Sequence, residues 1–209
     1  MLYEYLTSHY GPAEPIFFSD IHVNGISRSA ISQQMTKLCN ENKIKKYDTG
    51  IYYIPKKSRL SNNVGINADI VAKYKYISRK GQINGFYSGN PFANQIGLST
   101  QVPNKIEIVS NNIGAKIKEV PIGKRTFIVR KSTVNIDRSN VYVLQLLELL
   151  KNIDAYLDDD YNIAREKIKT YIKIHNISRT DIDKYIRKYP VNIYKSYYEL
   201  RLDDVFTQR

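Results

Sequence analysis

Residues 19–57 read SDIHVNGISRSAISQQMTKLCNENKIKKYDTGIYYIPKK, and this stretch contains the pattern that decides the fold of the N-terminal part. Residues 28–42 contain neither Gly nor Pro, and Ser27 before them is a preferred N-cap residue, so we predict a helix there. An Asn-Gly dipeptide in front of Ser27 favours a turn that ends a shorter helix, which Ser19 can cap. Two helices in close succession are therefore expected.

The residues on both sides extend this pattern. Leu2, Tyr5 and Leu6 recur at helical spacing, which predicts a first helix that ends before a Gly-Pro dipeptide. The segment 43–57 alternates between apolar and polar residues around Asp-Thr-Gly, which predicts a β-hairpin. Helix, short helix, turn, helix and hairpin is the order of a winged helix-turn-helix, which we predict for residues 1–57.

The helix predicted at 28–42 has two different faces. Ile31, Met35 and Leu38 form an apolar stripe, while short hydroxyl, amide and basic side chains share the opposite arc. Such side chains can hydrogen-bond base edges and phosphates in the major groove, so we predict binding to double-stranded DNA. The predicted DNA-binding residues are Arg28, Ser29, Ser32, Gln33, Thr36 and Lys37 on the helix, with Lys45, Lys46, Tyr47, Lys56 and Lys57 on and after the hairpin.

The charge of the chain supports a polyanionic partner. The net charge is +12, and residues 58–131 alone contribute +9, from 12 basic and 3 acidic side chains. Alternation along a strand predicts that Ile117 faces the core and that its basic neighbours face outward. This second basic surface, for DNA or for control of a protein partner, comprises Lys116, Lys118, Lys124, Arg125, Arg130 and Lys131.

Residues 58–66 are polar and rich in Asn and Ser, which is typical of a linker. Beyond it, residues 67–78 and the segment after Asn90-Pro91 are predicted to be helical, and the segments KIEIVSN, GAKIKEV and RTFIVRK are predicted to be strands. Everything after residue 138 has helical periodicity. We therefore predict an α+β fold: the winged helix-turn-helix, then a mixed α/β module over 67–209 with a small sheet and a helical C-terminal part.

Residues 89–103, GNPFANQIGLSTQVP, together with KIEIVSNN and the preceding helix and hairpin pattern, resemble the AbiEi-type antitoxin and transcriptional regulator family over roughly residues 1–131. The shared string is Gly97, Leu98, Ser99, Thr100, Gln101 and Pro103. The resemblance implies an antitoxin and autorepressor of a type IV toxin-antitoxin operon for abortive infection. It would bind inverted repeats in its own promoter and oppose a nucleotidyltransferase-like toxin through its second domain.

Two alternatives remain open at this point. The chain could be a transcription factor with a ligand-sensing C-terminal domain and no toxin partner, or a nuclease. A nuclease needs clustered carboxylates for a divalent metal, and the middle segment has only Asp69, Glu107 and Glu119. The Ser99-Thr100-Gln101 run also fits ordinary capping chemistry between a helix and a strand.

No enzyme activity, cofactor or metal site is predicted. The chain has one cysteine, Cys39, and three histidines, all far apart in sequence, whereas structural zinc sites use closely spaced ligand pairs. Asp158, Asp159 and Asp160 are better explained as capping residues at a helix start. The first ten residues do not have the pattern of a signal peptide, and the most apolar stretch, 141–150, is too short for a membrane span, so a cytoplasmic protein is expected.

Overall fold

The computed structural model describes residues 1–56, 65–158 and 160–207, and its fold is a mixture of α-helices and small β-sheets. It divides into two compact units. The first comprises Met1–Tyr74 with Ile122–Arg125, and the second comprises Lys75–Pro121 with Thr126–Arg209. Of the predicted linker 58–66, only residues 65 and 66 are described.

The first unit contains both helices and short strands. They are α1 (Leu2–His9), β1 (Ile16–Phe17), a 3-10 turn (Phe18–Asp20), α2 (Arg28–Asn40), β2 (Lys45–Asp48), β3 (Ile51–Tyr53) and α3 (Ala68–Ala72). A π-helical turn, Lys73–Ile77, continues α3 into the second unit. The three strands pair in the order β1-β3-β2.

Two helix boundaries differ from the prediction. The expected second helix is only the 3-10 turn, because the backbone becomes extended at Ile21 and carries that side chain into the core. Helix α2 ends at Asn40, two residues early, since Asn42 has a left-handed φ of 55° that no α-helix can continue.

An apolar core that includes the buried stripe of α2 stabilises the first unit. The buried stripe of α2 packs against α1 and against Ile44 and Ile54, which flank the hairpin strands. Its fully or nearly fully buried members are Leu2, Leu6, Tyr10, Ile16, Ile21, Ile31, Met35, Leu38, Ile44 and Ile54. Because this stripe is used in the core, the polar arc of α2 is left facing solvent.

The second unit contains a mixed sheet and a group of helices. After the small hairpin of β4 (Ser78–Arg79) and β5 (Gln82–Ile83) come β6 (Gly85–Ser88), α4 (Gly89–Gln95), β7 (Lys105–Ser110), β8 (Ile117–Ile122) and β9 (Arg125–Lys131). The sheet order is β6-β7-β9-β8, with β6 antiparallel and β9 parallel to β7. The helices that follow are α5 (Val141–Leu150), a 3-10 turn (Ile153–Tyr156), α6 (Tyr161–Ile174), α7 (Arg179–Ile186), α8 (Asn192–Glu199) and α9 (Leu202–Thr207).

Helix α5 is the centre of the second core. Its side chains Val141 and Val143 to Leu150 are all buried, and they contact residues of α4, α6, α7 and α8. The structure has strands at all three predicted segments, but the side-chain assignment in β8 was wrong. Ile117 is 56% exposed, because β8 is the edge strand and only its last residue, Ile122, is buried.

A network of partly buried ion pairs joins the sheet to α5. Arg130 of β9 donates from Nη1 to Oε1 of Glu148 on α5 at 2.5 Å and from Nη2 to Oε2 of Glu107 on β7 at 3.0 Å. Its Nη2 also donates to Oγ of Ser88 on β6 at 3.1 Å, and Lys151 Nζ contacts the same Glu148 oxygen at 2.5 Å. Burial alone would lower the pKa of Arg130, but the two carboxylates outweigh burial and raise it.

The network requires a glycine at the start of α4. Gly89 has a φ of 61°, and a Cβ built there would lie 2.6 Å from Oε1 of Glu107. Any larger residue would push the Glu107 carboxylate away from Arg130 and would also strain the backbone.

In the described residues, no helix is both long and apolar enough to cross a membrane.

We predict that Glu148→Gln lowers the free energy of unfolding by about 2–4 kcal/mol, since it leaves the Arg130 charge without its closest partner in a site where only 25% of the arginine side chain is exposed. Urea denaturation of the full chain measures this change. The matched control is Glu119→Gln, which breaks the exposed pair with Lys105 and should cost less than about 1 kcal/mol. Equal losses in the two variants would contradict a structural role for the network.

Candidate functional site

The exposed face of α2 is the strongest candidate for a binding surface. Ser27 caps the helix by accepting a hydrogen bond from the Ala30 amide at 3.2 Å. The side chains predicted to contact DNA on this helix all face solvent, opposite the buried stripe: they are Arg28, Ser29, Ser32, Gln33, Thr36 and Lys37. Thr36 Oγ1 donates to the Ser32 carbonyl at 3.1 Å, so its lone pairs remain available as acceptors.

Arg28 has an intramolecular role that its position in the sequence did not indicate. Its Nη1 donates to the carbonyl oxygens of Phe18 at 3.1 Å and Ile21 at 3.0 Å, and its guanidinium lies 4.5 Å from the centre of the Phe18 ring. These contacts use both protons of Nη1 and attach the start of α2 to the 3-10 turn before it. Arg28 therefore orients the helix, and the free side chains of the exposed face lie further along it.

The β2–β3 hairpin carries the second group of predicted residues. Lys46 and Lys56 are exposed and Lys45 is half-buried, whereas Lys57 lies outside the described residues. A bulge between Lys46 and Asp48 interrupts the pairing with β3. The lysines of this hairpin are thus mostly turned to solvent, where they can contact an anionic partner.

Tyr47 is not free on the hairpin surface. A Cβ built on Gly123 would come within 2.6 Å of the Tyr47 hydroxyl, so the phenol lies directly against the turn between β8 and β9. Burial raises the pKa of Tyr47, and the carboxylates of Asp48 and Asp69 add to this effect. We conclude that Tyr47 packs within the first unit.

The turn between β8 and β9 contributes two predicted basic residues to the first unit, and only one of them is unpaired. Arg125 Nη1 donates to both carboxylate oxygens of Asp69, at 2.8 and 2.9 Å. Lys124 is exposed and has no ion-pair partner among the described residues. Its ammonium group therefore adds to the positive charge of the unit that carries α2 and the hairpin.

Arg130 does not belong to a basic surface, and its inclusion there was wrong. It is held inside the second unit by Glu107 and Glu148, so its charge is compensated within the fold. The other predicted members in this unit, Lys116, Lys118 and Lys131, are exposed. Because the predicted strand alternation cannot reveal a carboxylate brought in by α5, the sequence alone could not separate Arg130 from them.

Ser99 and Thr100, in the string at residues 97–101, form a group of hydrogen bonds with Asp158 that we call the clasp. Asp158 Oδ2 accepts from the Thr100 amide at 2.5 Å and from the Thr100 hydroxyl at 2.8 Å, and Oδ1 accepts from Ser99 Oγ at 3.2 Å. These bonds, those from Thr100 above all, hold the pKa of Asp158 below its ordinary value. The clasp joins the segment after α4 to the segment before α6, so it is a tertiary contact and not the local capping predicted for Ser99-Thr100-Gln101 and for Asp158. A local turn bond is also present, since the Gln101 amide donates to Ser99 Oγ at 3.2 Å.

The other acidic residues of that run behave as predicted where they are described. Asp160 caps α6 by accepting from the amides of Asn162 and Ile163 at 2.8 and 3.0 Å. Asp159 lies outside the described residues. Within the described ranges, no group of three His, Cys, Asp or Glu side chains is placed to hold a metal ion.

We predict that Asp158→Asn lowers stability at neutral pH and that this difference shrinks in acid. A carboxyl group whose pKa is lowered by folding stabilises the protein above its unfolded pKa of about 4, and this contribution is lost as the pH falls through the folded value. Urea denaturation at about pH 7 and about pH 3 compares the two proteins. Asp183→Asn, which weakens only an exposed pair with Arg179, is the control and should change little. A pH-independent effect of Asp158→Asn would contradict the clasp.

Comparison with known proteins identifies the family of this chain. No curated protein matches the chain. The family described as a family of unknown function, DUF6088, matches residues 8–180, which is most of the chain. The chain therefore belongs to the DUF6088 family.

Proposed function

We propose that this protein is a sequence-specific, non-enzymatic DNA-binding regulator of the cytoplasm whose residues 1–57 form a winged helix-turn-helix. In this proposal α2 is the recognition helix and the β2–β3 hairpin is the wing. The observation that carries it is the exposed arc of α2, which consists of short hydroxyls, an amide and a lysine on a helix anchored by its other face. Arg28, bonded to the Phe18 and Ile21 carbonyls, maintains the angle between this helix and the preceding turn.

The chemistry of the arc suits the major groove. The amide of Gln33 can donate to and accept from the edge of an adenine, and Ser29 and Ser32 can contact bases or phosphates. Lys46, Lys56 and Lys124 are exposed cations of the same unit and would contact the phosphate backbone. We propose an inverted repeat in the promoter of the protein's own gene as the site.

We further propose that the protein is the antitoxin of a toxin-antitoxin operon and opposes a nucleotidyltransferase-like toxin. The support is the resemblance of residues 89–103 to AbiEi-type antitoxins. Since Gly89, Ser99 and Thr100 serve the fold, a surface that counters the toxin would lie elsewhere in the second unit. A nuclease is less well supported, because Glu107 is engaged with Arg130.

A second candidate is a transcription factor whose second unit senses a ligand. It is favoured by a cleft of about 400 Å³ in that unit, lined by both charged and apolar side chains. The DNA-binding half of the proposal is common to both candidates.

We predict that two variants will weaken DNA binding in different ways. Gln33→Ala should reduce the binding free energy for the promoter repeat by about 1–3 kcal/mol and change that for unrelated DNA little, because only the cognate base pairs bond to the amide. Lys46→Ala/Lys56→Ala should weaken binding to both DNAs and reduce the salt slope by about 2, because each phosphate contact releases about 0.9 of a counterion. Fluorescence anisotropy at several salt concentrations measures both effects.

The control for net charge is Lys173→Ala/Lys195→Ala, which removes two charges from α6 and α8 and should leave the affinity and the slope nearly unchanged. If Gln33→Ala lowered affinity for both DNAs equally, α2 would not read the sequence. A slope that stays constant in the hairpin variant would exclude the wing from the interface.

We predict that co-expression with a neighbouring nucleotidyltransferase gene restores the growth that this gene inhibits. Because the two activities are assigned to different units, Gln33→Ala should relieve repression of a promoter reporter while rescue is retained. Growth curves and the reporter are measured in the same cells. Repression by the wild-type protein without any rescue would reject the antitoxin role and favour the ligand-sensing regulator.

A further inference from the structure

A cleft in the second unit combines unpaired cations with apolar side chains. It has a volume of about 400 Å³, which lies in the range of about 300–1,000 Å³ typical of small-molecule sites. Lys116, Ile117 and Lys131 form its wall at strands β8 and β9, and Tyr189, in the turn after α7, also lines it. The cleft is therefore built from elements of the fold and not from a single loop.

The charges of the cleft divide into a neutral base and a positive wall. Arg130 and Lys151 in the lining are compensated by Glu148, also in the lining, and by Glu107 outside it, so this group of four residues has no net charge. In the part of the chain that the structure describes, Lys116 and Lys131 have no ion-pair partner.

The two free lysines are neighbours. The Lys131 amide donates to the Lys116 carbonyl at 2.9 Å, which brings their backbones side by side. Both lysines also line the cleft, so their flexible side chains can bring two ammonium groups to one phosphate, whose oxygens accept several charge-assisted hydrogen bonds. The hydroxyl of Thr133, also in the lining and exposed, can donate a further bond.

The apolar part of the lining points to a ring on the same ligand. Ile117 is 56% exposed although it is a large aliphatic residue on a strand, and Val109 is also in the lining. The Tyr189 hydroxyl donates to the Leu144 carbonyl at 3.2 Å, which fixes the orientation of the phenol ring. A fixed aromatic ring and an exposed aliphatic side chain can hold a planar base, while the lysines hold its phosphate.

We propose that this cleft binds a free nucleoside phosphate. The inference goes beyond the proposed DNA binding, because it depends only on residues of the second unit and requires no contact with the promoter. A free nucleotide fits better than a nucleic acid chain because the cleft has room for one base with its sugar phosphate, and the unpaired cations are confined to one wall. A nucleoside phosphate bound in this cleft would allow the second unit to respond to a small molecule, which DNA binding alone does not do.

The test is isothermal titration calorimetry of the full chain with AMP, adenosine, inorganic phosphate and a short 5′-phosphorylated RNA. AMP should bind more tightly than adenosine or inorganic phosphate, because only AMP uses the lysines and the apolar part together. Lys116→Gln/Lys131→Gln should weaken AMP binding about tenfold or more, since it removes both charges that would bind the phosphate. Ile117→Ser should weaken AMP binding and leave the affinity for phosphate unchanged.

The matched control is Lys118→Gln/Lys173→Gln, which removes the same charge from exposed lysines outside the cleft lining and should keep wild-type AMP affinity. Thermal melting verifies that every variant is folded. The proposal is overturned if AMP does not bind at millimolar concentration, if the control loses as much affinity as the cleft variant, if phosphate alone binds as tightly as AMP, or if only the RNA binds. Failure of DNA binding in the Gln33 experiment leaves this result unaffected, so the two proposals fail separately.

Discussion

The ion-pair network around Arg130 is the constraint on which the second unit depends. One guanidinium connects β6, β7 and β9 to α5 through Ser88, Glu107 and Glu148. Charges with so little exposure are tolerated only when each has a partner, so the four elements must meet in one register. The same requirement extends to Gly89, since only a glycine leaves room for the Glu107 carboxylate.

Residues 89–103 have a structural role that follows from this constraint. The glycine at the start of α4 makes room for the network, and the Ser99-Thr100 pair is tied to Asp158. Asn94, between them, donates from Nδ2 to the Gln101 carbonyl at 2.7 Å. Several residues of this string thus make structural contacts, and such contacts can identify a fold without identifying the surface that performs its function.

Fewer of the positive charges in residues 58–131 are available to bind a partner than their number suggests, because several are paired within the fold. Arg130 is compensated inside the fold, Arg125 is paired with Asp69, and Lys105 is paired with Glu119. The lysines that remain unpaired are split between the two units, with Lys124 in the first. Hence the excess of positive charge supports two separate proposals, one for DNA beside the hairpin and one for a nucleoside phosphate in the cleft.

Local sequence patterns were sufficient for α2 and its exposed face, for the β2–β3 hairpin and for the strand segments β7 to β9, but not for the expected second helix, which is only a 3-10 turn. Periodicity and capping depend on residues a few positions apart, which is why Ser27, the hairpin and the three strand segments could be predicted. The partners of Arg28, Arg130 and Ser99 could not be predicted in this way. Arg130 and Glu148 are separated by 18 positions and Ser99 and Asp158 by 59, and only the folded chain brings these groups together. Tertiary packing therefore decided which charges are internal and which remain free to bind, because an ion pair depends on distance in space and not on separation along the chain.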